Sequence, residues 1–133
     1  MISTWAPPPR GEMSRILGLA MAAAFPDFLP PSAPQHWTEL GDSDSFSQRL
    51  IQNGFATAHV VELRHAWVFD RIEQFTGVLP RVSPPMIAIF ESMNGDQRRN
   101  FLETIANDFR ARQGDGPYAL THEALIAVGT KAT

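Results

Sequence analysis

The chain has no cysteine among its 133 residues. Disulfides, thiolate metal sites and cysteine nucleophiles are therefore excluded, and a reduced cytoplasmic setting is compatible with the composition. Charge of one sign is scarce as well: 11 Lys and Arg stand against 14 Asp and Glu, a formal net charge of -3. Nucleic-acid backbones and anionic membranes call for basic patches, so neither is expected as the main partner. No apolar run approaches the roughly 18 residues of a membrane span. The opening MISTWAPPPR lacks the basic n-region and apolar core of a signal peptide. The four histidines, His36, His59, His65 and His122, include no pair at the i, i+4 spacing of a helical metal site, so no metal is expected. Ser3, Ser14, Ser32, Ser83 and Ser92 have no nucleophile-elbow context. Glycine is present, but no G-x-G-x-G follows a predicted strand. The close pair Gly114 and Gly116 precedes one.

What is there is organised around Gly54–Phe69, GFATAHVVELRHAWVF. From Val61 onward the odd positions Val61, Leu63, His65, Trp67 and Phe69 alternate with Glu62, Arg64, Ala66 and Val68. Period-two alternation predicts a strand with one apolar and one mixed face, and places His65 on the apolar face as a core or pocket-wall histidine. Eleven prolines mark the joints of the rest of the chain.

Ile2–Trp5 reads as a short strand stopped by Ala6 and three prolines. Met13, Ile16, Leu17, Ala20, Met21 and Ala24 share one helical face, and Pro26 ends that helix. The segment 25–40 reads as an ordered loop packed down by Phe25, Phe28, Leu29 and Trp37. Asp42, Ser43, Asp44 and Ser45 offer caps for a helix whose apolar side is Phe46, Leu50 and Ile51, with Gly54 as its left-handed stop. After the long strand, Asp70-x-x-Glu73 starts a short helix that stops at Gly77. Ser83-Pro84 starts a helix apolar nearly all round, and Asp96 caps the longest helix, with Phe101, Leu102, Ile105, Ala106 and Phe109 on one face. Tyr118–Val128 is the last strand, and its run Ala124–Val128 suggests burial on both faces.

The order strand, helices, strand, helices, strand is an α/β pattern in one domain. The first two strands, joined by helices, are expected to be parallel with a right-handed crossover. Trp5 and Phe69 then end at the same, carboxyl edge of the sheet, where open α/β sheets bind ligands. Helical inserts at about residues 10–40 and 70–113 would rise over that edge.

The stretches STWAPP (3–8), LGLAMAAAFPDFLPPSAP (17–34), SFSQRLIQNGF (45–55), HAWVF (65–69) and ALIAVGTK (124–131) resemble, in order and spacing, the C-terminal half of a class I S-adenosylmethionine-dependent methyltransferase acting on small molecules. The resemblance implies a partial Rossmann-like methyltransferase sheet, its last strands only, with two helical substrate-cap inserts. STW-type residues would end the fifth strand of the family's sheet. The L-x-x-x-G-F turn at Leu50–Phe55 would lead into the sixth, and a final strand antiparallel to the rest would end in the G-x-K of Gly129-Thr130-Lys131. S-adenosylmethionine is implied as cofactor by the resemblance alone. The family holds it in the first half, with a glycine-rich loop and an acidic strand end that have no counterpart in these residues.

Trp5, Phe28, Trp37, Trp67 and Phe69 are candidates to line an apolar substrate pocket, with His36 in the proline-rich segment and His65 on the long strand as polar members. Asp42, Asp44, Asp70 and Asp96 read as helix caps, and Arg98, Arg99, Arg110 and Arg112 as a solvated helix face. An incomplete sheet leaves an edge and apolar surface to cover, so a homodimer or a missing N-terminal methyltransferase half is the expected partner. The alternative reading is a non-enzymatic small-molecule-binding or dimerisation module derived from that fold.

Overall fold

The first and last strands meet edge to edge. In the computed structural model, which describes residues 1–8, 10–29 and 35–133, β1 (Ile2–Trp5) lies antiparallel to β3 (Tyr118–Lys131), with Ile2 opposite Ala127 and Trp5 opposite Ala124. β2 (Phe55–Phe69) pairs with the other side of β3, completing a three-stranded antiparallel sheet in the order β1-β3-β2. Since both run against β3, β1 and β2 point the same way, as their helical connection predicts. They are not neighbours, because β3 stands between them. The connection from β1 to β2 carries α1 (Glu12–Ala24), α2 (Gln35–Glu39) and α3 (Ser43–Gln52). That from β2 to β3 carries α4 (Ile72–Thr76), a 3-10 turn at Leu79–Arg81, α5 (Pro84–Ser92) and α6 (Gly95–Gln113).

The chain forms two compact units, to both of which α1, β2 and β3 contribute residues. The first comprises Met1–Ser14, Pro31–Ala66 and Thr121–Thr133; the second comprises Arg15–Pro30 and Trp67–Leu120.

In the first unit α3 supplies the packing. Asp42 caps it, its carboxylate accepting the Ser45 N–H at 2.9 Å, a bond that holds the carboxyl below its ordinary range. Phe46 and Leu50, one turn apart, are buried with Ala6 and with Leu125 and Ala127 of β3, and Leu40, Phe55, Ala58 and Val60 pack around them. Gly54, at φ +89°, turns the chain from α3 into β2. Because Ala58 and Val60 face α3, the alternate residues Val61 and Leu63 point away and are 42% and 48% exposed. The expected apolar face of β2 is thus uncovered here, and His65 on it is exposed rather than a core residue. Ile51 of α3 is exposed for the same reason: α3 buries only one side. In β3 Leu125 and Ala127 are buried, Ala124 and Ile126 on the other face are half-buried, and Val128 is exposed, so its apolar run is fully buried on one face and partly on the other.

The ladder of β1 continues past its prolines. Ala6 N–H donates to the Glu123 carbonyl at 2.8 Å, Glu123 N–H donates to that of Arg10 at 3.3 Å, and Gly11 bridges His122. Pro7 and Pro8 sit in the interruption between Ala6 and Arg10, where a missing N–H breaks no pair.

The second unit is built from α1 and the helices that follow β2. Ile16, Ala20 and Ala24 of α1 and Phe101, Ile105 and Phe109 of α6 are buried at helical spacing. Arg15 holds both carboxylate oxygens of Asp108, at 2.9 and 2.8 Å. Phe69, Phe75, Phe109 and Tyr118 form an aromatic cluster, with Phe69 centroids 5.8 Å from Phe75, 5.3 Å from Phe109 and 5.8 Å from Tyr118.

Several local expectations shift. Ser83 caps α5 as its Ser-Pro start predicts. The cap of α6 is Asn94, not Asp96: Asn94 accepts the Gln97 N–H at 2.9 Å and Gln97 answers the Asn94 N–H at 3.0 Å. Asp96 instead pairs with Arg99 in the first turn. At α4 the side chain that reaches back is Gln74, accepting from the N–H groups of Asp70 and Arg71, so Asp70 is not the cap. In the proline-rich segment α2 is a short helix, and Leu29 is 85% exposed rather than packed down. The remaining prolines of that segment fall at 30–34, outside the described residues, as does Pro9.

Candidate functional site

Charged side chains converge just beyond the carboxyl end of β1. Arg10 follows the ladder's interruption and Glu12 is the first residue of α1. On β3, Thr121 and Glu123 share a face by alternation, and His122 points to the other. Arg10, Glu12, Arg64, Thr121 and Glu123 line a cleft of about 260 Å³. Its walls are fixed by internal bonds. Glu12 accepts the Thr121 N–H at 2.6 Å. Arg10 Nη1 stands 3.5 Å from both Glu62 and Glu123, and its Nη2 donates to the Gly41 carbonyl. Glu62 in turn accepts from the Ser43 hydroxyl at 2.8 Å. Arg64 is exposed and makes no ion pair among the described residues.

Behind this cleft lies His122. Its Nδ1 is buried without a hydrogen-bond partner, and Trp5 meets the ring edge-on at 4.7 Å. Burial pushes the imidazole below its ordinary pKa, and the negative charge of Glu12 opposes that shift. His122 is thereby biased to the neutral form at neutral pH.

The second unit has a concavity of its own. Met21, Phe25, Pro26 and Phe28 face Ile89 across a cavity of about 470 Å³, with Asp27, Ser92 and Gln97 as its polar members. Its size and apolar lining lie in the range of small-molecule sites.

The sequence-predicted pocket residues fall in both units: Trp5, His36, Trp37 and His65 in the first, Phe28, Trp67 and Phe69 in the second. Trp5 is 64% exposed and touches His122. His36 and Trp37 lie on α2 with ring centroids 6.1 Å apart, His36 exposed and Trp37 half-buried. His65 is exposed on β2. In the second unit Phe28 lines the apolar cavity, whereas Phe69 is buried in the aromatic core and Trp67 packs on it and on Phe75, at 5.6 and 5.5 Å. The residues that do converge, Arg10, Glu12, Arg64, Thr121 and Glu123, were not singled out from sequence. Their only sequence signal is position: Arg10 and Glu12 directly follow the first strand, where an α/β sheet places its ligands.

A sulfonium methyl donor finds no fitting cradle among the described residues. Such a cradle needs a tight glycine turn between a strand end and a helix start. The positive-φ glycines, Gly54, Gly114 and Gly116, all lie ahead of strands; the turn from β2 into α4 through Asp70 and Arg71 has none, and Gly11, ahead of α1, is bridged to His122 of β3. Among the described residues no group of three or more His, Asp or Glu side chains is placed to hold a metal, and no helix is long and apolar enough to cross a membrane. No protein-family model matches the chain, and no curated protein matches it significantly.

Proposed function

We propose that this chain is the C-terminal, substrate-capping portion of a methyltransferase-like protein that uses S-adenosylmethionine, with the donor held by another region or partner. One observation carries the reading. β1 and β2 run the same way, each is followed by a helical excursion, and the final strand runs antiparallel to both and ends in Gly129-Thr130-Lys131. That is the order and direction of strands that the sequence resemblance implies. In this reading the helices after β1 and β2 bind a small-molecule substrate and keep water from it, and orientation and desolvation are their contribution to rate. The cysteine-free chain fits a cytoplasmic setting.

The reading is tested by joining the chain to the donor-binding half of a small-molecule class I methyltransferase and measuring donor binding calorimetrically. Saturable binding supports it, and a folded but donor-blind chimera removes it.

A second reading, a binding or dimerisation module without chemistry, is favoured by the exposed Trp5, Val61, Leu63 and Val128 and by the edge of β1 away from β3, which has no partner among the described residues. β1 carries no charge to guard that edge. Under either reading the isolated chain self-associates, most simply as a two-fold dimer. Size-exclusion chromatography with light scattering reads this directly, and a clean monomer at micromolar concentration rejects it.

A further inference from the structure

We infer that the cleft lined by Arg10, Glu12, Arg64, Thr121 and Glu123 binds a small zwitterion of the α-amino-acid class. The substrate role of that ligand rests on the methyltransferase reading; its binding does not.

The lining holds two arginines and two glutamates, with Glu62 bound to Arg10 beside them, so charges of both signs face the same space. A simple anion would enter beside Glu12 and Glu123, and a simple cation beside Arg10 and Arg64. Each would meet repulsion in the same small space. A molecule carrying both charges a few bonds apart meets complementary charge at both ends. The cleft, about 260 Å³, falls below the usual drug-sized pocket and suits a compact metabolite.

The groups are unequally committed. Arg10 is locked by Glu62, Glu123 and the Gly41 carbonyl, and serves as scaffold. Arg64 has no carboxylate partner, and the Thr121 hydroxyl makes no hydrogen bond among the described residues. A guanidinium fork binds a carboxylate through two parallel N–H donors, and a hydroxyl lining the same cleft offers a third. The ligand's carboxylate is therefore assigned to Arg64 and Thr121. Its ammonium is assigned to the Glu123 and Glu12 carboxylates, which the bonds to Arg10 and to the Thr121 N–H already hold in place.

The test is a backbone-amide NMR titration of the full chain with glycine, L-alanine, acetate and methylammonium. The amino acids are expected to give saturable shifts at Arg64, Thr121 and Glu123. Acetate and methylammonium are expected to bind at least about tenfold more weakly. R64Q, at an exposed position, should weaken the amino acids by about tenfold or more and leave the rest of the spectrum unchanged. T121V gives an independent, smaller loss. The inference is overturned if neither amino acid shifts those amides saturably, if R64Q binds like the parent, or if acetate binds as tightly as glycine. Amino-acid binding alongside a donor-blind chimera would remove the methyltransferase reading alone. A donor-binding chimera with no amino-acid binding would remove this inference alone.

Discussion

A methyl group added to Gly129 would lie 2.5 Å from the ring of Phe55. The first residue of β2 therefore packs flat on a gap near the end of β3, and the glycine of the Gly-x-Lys ending has a steric reason to be there. Gly129→Ala is expected to cost about 1–3 kcal/mol as the Phe55 ring is displaced from the α3 core. Phe55→Leu in the same chain should return part of that loss. Urea denaturation of the two single variants and the double variant measures it; equal, additive losses would show that the two residues do not meet.

Arg15 and Asp108 provide a second measurable pair. Their two-bond contact holds the Asp108 carboxyl below the ordinary value of 3.8, with the Arg15 bonds as the main cause and burial working against them. A lowered folded pKa means that the unfolded chain takes up the proton first as pH falls. The stabilisation is present above the ordinary carboxylate range and is lost as pH drops through the lower, folded value. Asp108→Asn should cost roughly 1–3 kcal/mol at neutral pH and much less under acid. A double-mutant cycle with Arg15→Gln, run at both pH values, isolates the pair.

His122 is expected to titrate below the ordinary imidazole value of 6.5, because burial beside Trp5 disfavours its charged form. Here too the unfolded state binds its proton first. Stability is full above that ordinary value and falls as pH drops through it toward the lower folded pKa. Trp5→Ala should admit water to the ring and raise the His122 pKa back toward 6.5. Imidazole chemical shifts followed against pH report both effects, and an unchanged titration in Trp5→Ala would show that the indole does not shield the ring.

The strand and helix order was legible because hydrophobic period is local: Met13 to Ala24 and Phe101 to Phe109 announce their helices wherever they pack. Which face of a strand is covered is not local. Val61, Leu63 and His65 alternate as a buried face would, yet α3 lies on the side of Ala58 and Val60. Caps differ from the local pattern by one or two residues because Asn94 and Gln97 close the start of α6 two residues ahead of Asp96. The charged cleft was the least legible feature. Arg10, Arg64 and Glu123 are far apart in sequence, and only the pairing of β1 and β2 with β3 brings them together.

Calorimetric titration of S-adenosylmethionine, into the chain alone and into the chain joined ahead of Ile2 to a donor-binding methyltransferase half, bears most directly on the proposal. The account predicts no saturable heat for the chain alone and one bound donor per joined molecule. Saturable donor binding by the chain alone, or none by a joined protein with intact circular dichroism, would contradict it.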